Sequence, residues 1–153
     1  MLSNSNSSIG TIFHGDGGND TIYGGKGDDN IVGGAGDDVL YGGLGADGIV
    51  GGTGNDIIYG GEGADEIQGN QGDDWIEDGS TGGDNLVGDV GAPTGRFPLY
   101  AGDDVLIGSP GTVMTGVSGD DIMLGTGGFD KFLGGLGFDW LRSSAMRKAS
   151  ISI

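Results

Sequence analysis

Aspartate recurs along this chain at a near-constant interval of nine residues: Asp20, Asp29, Asp38, Asp47, Asp56, Asp65, Asp74, Asp84, Asp104, Asp121, Asp130 and Asp139. Glycines precede these acids, and in the most regular stretch they fall in pairs: Gly24 and Gly27, Gly33 and Gly36, Gly42 and Gly45, Gly51 and Gly54, Gly60 and Gly63. Paired carboxylates can do acid–base work, and neighbours such as Asp28–Asp29 and Asp73–Asp74 could be mistaken for such a pair. Their strict recurrence points instead to one ligand role repeated many times. An ionised carboxylate is a hard oxygen donor, and glycine's freedom at positive φ lets backbone carbonyls turn toward an ion. Calcium takes about six to eight oxygens at roughly 2.3–2.6 Å. One turn cannot supply that many, so two turns stacked on the same edge have to share each ion.

Read from Gly24, the chain runs GGKGDDNIV, GGAGDDVLY, GGLGADGIV, GGTGNDIIY, GGEGADEIQ and GNQGDDWIE without a gap. GDGGNDTIY precedes them, and GSTGGDNLV follows Asp78. After an irregular stretch from Gly88 to Pro98 the period resumes as LYAGDDVLI, a degenerate GSPGTVMT, GVSGDDIML, GTGGFDKFL and GGLGFDWLR. These thirteen units between Gly15 and Arg142 follow GGxGxDxUx, with U a large apolar residue. At this copy number the pattern resembles the RTX, or haemolysin-type calcium-binding, nonapeptide repeat family. The resemblance implies an all-β fold: a right-handed parallel β-roll in which two units make one coil of 18 residues, positions 1–6 turn, positions 7–9 form a strand, and calcium sits between turns two units apart. The expected organisation is an N-terminal cap segment over 1–14, the roll over 15–142 with an insert at 88–98, and a tail or added strand over 143–153. Thr112 replaces the acid of the degenerate unit, so weak or missing sites are expected beside it.

The elements that would hold these turns follow from the same period. Position 8 gives one inward column: Ile22, Ile31, Leu40, Ile49, Ile58, Ile67, Ile76, Leu86, Leu106, Met114, Met123, Phe132 and Leu141. At a strand spacing of about 4.8 Å the coils would stack into a rod about 31 Å long. Positions 7 and 9 face outward, and alternate units fall on opposite sheets. One sheet collects Ile57, Trp75 and Trp140 at position 7 and Tyr23, Tyr41 and Tyr59 at position 9, with the tyrosines expected to stack. An apolar, aromatic face of this extent predicts an interface.

Composition supports a metal and excludes other partners. The chain carries 23 acidic and 6 basic residues, a formal net charge of −17. That balance argues against nucleic acid, which needs a basic surface, and an anionic membrane would repel it. Roughly eight to ten calcium ions are expected, and eight would add about +16 and nearly cancel the charge. Without them the carboxylates repel one another around a thin core, so folding is expected to be coupled to metal binding. A Gly/Asp-rich disordered linker has no need of phased Ile and Leu, which sets that reading aside.

There are no cysteines, so neither disulfides nor thiolate metal sites arise, as suits an extracellular protein stabilised by metal. No run approaches the apolar length of a membrane span. The N-terminus has no basic region followed by an apolar one, so export would be leaderless or the leader already removed. Catalytic signatures are missing: no HExxH, no credible Ser/His/Asp set, and one histidine, His14, which reads as a surface residue at position 9. The chain is therefore not expected to be an enzyme. Irregular residues at positions 3 and 5 exclude an ice-binding ladder. Two functions remain. One is a secreted or cell-surface structural roll that self-associates into a fibre or layer. The alternative is the C-terminal calcium-binding module of a larger type I-secreted toxin, enzyme or adhesin, which the closing GFD units resemble.

Overall fold

In the regular units the strand is longer than the three residues expected: it begins after the aspartate and runs on through the glycines at positions 1 and 2, as from Thr21 to Lys26, and the chain bends at positions 4 to 6. Glycine is needed most at position 2. Gly34 has φ +117°, and a β-carbon there would lie 2.2 Å from the Asp16 carbonyl oxygen of the preceding coil. Asn70 and Val117 take this place at φ 80° and 85°. For a β-branched residue that conformation costs about 1–2 kcal/mol, which the stacked coils must overcome.

The computed structural model describes residues 1–3, 8–79, 82–89, 102–127 and 130–143. Its strands are β1 (Leu2–Ser3), β2 (Ile12–His14), β3 (Thr21–Lys26), β4 (Asn30–Ala35), β5 (Val39–Leu44), β6 (Gly48–Thr53), β7 (Ile57–Glu62), β8 (Glu66–Gln71), β9 (Trp75–Gly79), β10 (Asn85–Val87), β11 (Val105–Gly108), β12 (Val113–Ser118), β13 (Ile122–Gly125), β14 (Lys131–Leu136) and β15 (Trp140–Ser143). Odd-numbered strands form an eight-stranded sheet in the order β1-β3-β5-β7-β9-β11-β13-β15, and even-numbered strands form a seven-stranded sheet from β2 to β14. All pairings are parallel, so the chain alternates between sheets as a two-sided coil, and no helix occurs among the described residues. This is the expected parallel β-roll.

The register survives the irregular stretch. Ile57, Trp75, Val105, Ile122 and Trp140 lie in one row across the larger sheet, so alternation between sheets continues beyond Gly88. Turns absorb the spacing changes. Successive acids on one edge are normally 18 apart, but 19 separate Asp65 from Asp84 and 30 separate Asp74 from Asp104. Gly88 and Asp89 belong to the coil, because Asn70 N–H donates to Gly88 O at 2.8 Å and Asp89 N–H donates to Gly116 O at 3.2 Å. Most of the expected insert, from residue 90 on, lies outside the described residues, as does the tail after Ser143.

The core is the expected column. Ile22, Ile31, Leu40, Ile49, Ile58, Ile67, Ile76, Leu86, Leu106, Met114 and Met123 are all 0% exposed. Phe13 on β2 extends the column at the N-terminal end, while Phe132 and Leu141 are only partly buried at the other. Each fully buried side chain contributes about 1.5–3 kcal/mol, and the layer is one residue thick. In saturating calcium Ile58→Ala should cost about 2–5 kcal/mol in denaturant unfolding, and Leu141→Ala clearly less. Equal losses at the two positions would contradict a core that thins toward β15.

Candidate calcium sites at the turn edges

The turns stack in two rows along the edges of the roll. One row holds Asp20, Asp38, Asp56, Asp74, Asp104, Asp121 and Asp139, each linked to the next by a backbone N–H donating to the following Oδ1. The other holds Asp29, Asp47, Asp65 and Asp84 in the same linkage, then Thr112 and Asp130. In the regular stretch these bonds are 2.7–2.9 Å, and Asp29, Asp38, Asp47, Asp56, Asp65 and Asp74 are 1–3% exposed. Thus each of these side chains spends one oxygen on holding the neighbouring coil.

The second oxygen is left without a partner. Oδ2 of Asp29, Asp38, Asp47, Asp56, Asp65, Asp74, Asp104, Asp121 and Asp130 is buried and accepts no hydrogen bond. A buried, unsatisfied carboxylate oxygen is costly, and one repeated at this interval calls for a cation. These oxygens lie against the position-1 glycines Gly24, Gly33, Gly42, Gly51 and Gly60. A β-carbon at Gly33 would lie 2.4 Å from Asp38 Oδ2 and 2.6 Å from the Gly51 carbonyl oxygen, and at Gly42 it would lie 2.4 Å from Asp47 Oδ2 and 2.5 Å from Gly60 O. A carboxylate of one coil and a carbonyl of the next therefore face the same bare glycine. The position-4 glycines Gly27, Gly36, Gly45, Gly54 and Gly63 have φ between 97° and 143°. From Gly36 onward a β-carbon would meet the position-4 carbonyl of the coil before, at 2.6 Å for Gly36 and 1.8 Å for Gly63.

This donor set fits calcium. Every available atom is a hard oxygen. Among the described residues no three carboxylate or imidazole groups converge on one point, so backbone carbonyls would have to complete each shell. Nor does the chain supply the missing charge: among the described residues the ion pair is Met1 N-terminus to Asp20 at 3.9 Å, at one end of the roll.

Burial, reinforced by neighbouring acids and opposed by the backbone N–H bond, pushes these carboxyls up. Asp47, Asp56 and Asp84 rise to about 6, Asp74 and Asp121 to about 7, and Asp104 to about 8. Asp38 and Asp65 rise as well, again chiefly through burial.

Three features escaped the sequence pattern. The position-5 residues form a second, exposed ladder: Asp28 Oδ1 accepts from Ala46 N at 2.9 Å and Asp37 Oδ1 from Asn55 N at 2.9 Å. Asn19 serves equally well, which marks this as a turn cap that needs an oxygen and no charge. Secondly, Asp78 stands one coil before Thr112. Its Oδ2 accepts from Thr112 Oγ1 at 2.5 Å, and Ser109 N–H lies 2.9 and 2.8 Å from its two oxygens. Ser109 Oγ also reaches Asp84 Oδ2 at 3.5 Å. Where the repeat loses its acid, the chain thus fills the junction with donors of its own. Thirdly, Asp89 is 1% exposed beside this series. Asp78 and Asp89 are invisible to the period because both stand where a glycine is expected, next to changes in spacing.

On the outer face Tyr23 and Tyr41 stack at 4.7 Å and Tyr41 and Tyr59 at 5.0 Å, half-buried by one another. Ile57 and Trp75 are about two-fifths exposed, and Trp140 is 75% exposed. His14 is exposed on β2.

A family model described as the RTX calcium-binding nonapeptide repeat (4 copies) matches residues 14–49, 45–76 and 115–145, more than half of the chain. The unmatched interior is where the spacing slips. No curated protein and no solved structure matches the chain. Fold and turn chemistry together define a calcium-binding parallel β-roll. The chain belongs to the RTX calcium-binding nonapeptide repeat family.

Two outcomes follow. With chelator the folded roll holds protons that the unfolded chain, with carboxyls near 3.9, does not. Its stability is therefore fullest below about pH 4 and is lost as pH rises through 6 to 8. Calcium keeps these carboxylates ionised, so in saturating calcium stability rises only as pH passes the unfolded carboxyls near 3.9 and then stays level through 6 to 8. Between pH 6 and 8, thermal unfolding followed by circular dichroism should show stability falling with chelator and level in saturating calcium; parallel slopes would be inconsistent with metal at these aspartates. Asp78→Ala should cost about 1–3 kcal/mol in saturating calcium, because it strips the acceptor from a fully buried Thr112 hydroxyl. A urea titration measures it.

Proposed function

We propose that this chain is a calcium-dependent structural protein of the extracellular space or cell surface, which folds on meeting calcium and then associates with its own copies into a fibre or layer. The position-6 aspartates, with the position-1 and position-4 glycines, hold roughly eight to ten ions between them. Extracellular modules bind calcium at about 10⁻⁴–10⁻³ M, so calcium outside the cell would both neutralise the roll and fold it.

The observation that carries self-association is the outward row on the larger sheet. Ile57 (40%), Trp75 (41%), Ile122 (38%) and Trp140 (75%) are exposed in one register-aligned line. It continues from the tyrosine stack toward the C-terminal end of the larger sheet; beyond it Leu136, on the smaller sheet, and Phe138, in the turn before β15, are 66% and 83% exposed. Such contiguous apolar surface suits a second copy of the same surface, and a contact that does not close on itself propagates. The large exposure of Phe138, in a closing GFD unit, also suits the second reading: a calcium-binding module that packs against the rest of a larger secreted protein.

Sedimentation velocity with millimolar calcium and with chelator separates these readings. Calcium should convert a slow, expanded species into large, open-ended ones, and the double variant Trp75→Ser, Trp140→Ser should stop at a compact monomer. A compact wild-type monomer in calcium would overturn self-association and leave the module. No response to calcium would overturn calcium-driven folding.

A further inference from the structure

Among the described residues the buried side-chain oxygens without a hydrogen-bond partner all belong to position-6 aspartates, with one exception, Asp89 Oδ1. Asp89 is 1% exposed and firmly placed. Its Oδ2 accepts from Gly102 N at 3.0 Å and from the buried Ser118 Oγ at 3.1 Å, and its own N–H donates to Gly116 O at 3.2 Å. It follows Gly88 and so stands at turn position 2, where Gly43 and Gly52 stand in regular turns at φ 120° and 127°.

The position-6 acid of the same turn is Asp104, 0% exposed, whose Oδ2 is also without a partner. That oxygen lies against Gly88, the residue next to Asp89: a β-carbon on Gly88 would come within 2.0 Å of it. A regular turn offers one orphaned carboxylate oxygen; this turn offers two. The negative charge of Asp89 helps to raise the carboxyls of Asp74, Asp104 and Asp121, its neighbours along the same edge.

We infer that Asp89 is an additional cation ligand, and that the turn shared by Asp89 and Asp104 is the tightest cation site of the roll, the first to fill with calcium and the one that most favours a trivalent lanthanide. The inference rests on the reading of the turns as calcium sites. Its physical basis is that affinity among oxygen-ligand sites is set by ligand charge and rigidity, and this site has one more carboxylate, held by two hydrogen bonds.

The test is calorimetric titration of the full chain from calcium-free buffer, repeated with terbium, for wild type, Asp89→Gly and Asp89→Asn. Asp89→Gly restores the residue the repeat uses at this position, and Asp89→Asn keeps the shape and the acceptor while removing the charge. Both should delete the tightest calcium class, weakening that ion by about tenfold or more and terbium by a larger factor, with the remaining sites unchanged. Circular dichroism in saturating calcium reports whether the fold is kept; if Asp89→Gly loses it, Asp89→Asn decides. A tight class that persists in Asp89→Asn overturns the inference while leaving the calcium sites standing. A wild-type chain that takes up no calcium overturns both.

Discussion

A buried aspartate with one oxygen satisfied and the other not is the interaction on which this molecule turns. Oδ1 of every position-6 acid from Asp29 to Asp139 receives a backbone N–H from the coil before it, and that bond holds the register between coils. In nine of these acids, Asp29, Asp38, Asp47, Asp56, Asp65, Asp74, Asp104, Asp121 and Asp130, Oδ2 is sealed away from water with no hydrogen-bond donor. The same side chain is therefore a structural clasp and, without a cation, a liability. A hydrophobic layer one residue thick is a poor counterweight to a row of such liabilities, so a cation bound there would count directly toward folding.

The glycines follow from this constraint. Position 1 must be bare because a carboxylate oxygen and the next coil's carbonyl occupy the space that a β-carbon would take. Position 4 must be bare and at positive φ because it faces a carbonyl one coil away. Neither requirement can be met within one nonapeptide, which explains why the repeat has meaning only in stacks. Where the pattern fails, the structure compensates locally. Thr112 loses the acid, and Asp78 returns a carboxylate to the same spot from the neighbouring turn.

A proton and a cation would compete for the same orphaned oxygens. Burial raises the carboxyls into the range of about 6 to 8, which lets a metal-free roll lower its charge by holding protons. A cation bound at these oxygens would displace those protons, which ties the protein's response to metal to its response to pH.

The sequence by itself determined the repeating elements: the acids at position 6, the inward column from Ile22 to Met123, the stacked tyrosines and the alternation of units between two faces. These were legible because each depends on local spacing, and a period of nine declares it. Tertiary structure alone decided what lies between coils. It showed which carboxylate oxygen is spent on an N–H and which is orphaned, and it gave the position-5 residues a capping role that Asn19 fills as well as Asp28. It set Asp78 beside Thr112, and it placed Asp89 where its charge bears on Asp104 across a break in the period. It also thinned the core at Phe132 and Leu141, which the period counts as equal to the rest. The reason is that these contacts join residues 13 to 34 positions apart through insertions of different length, and distance across a coil is fixed by strand pairing and not by the count of residues along the chain.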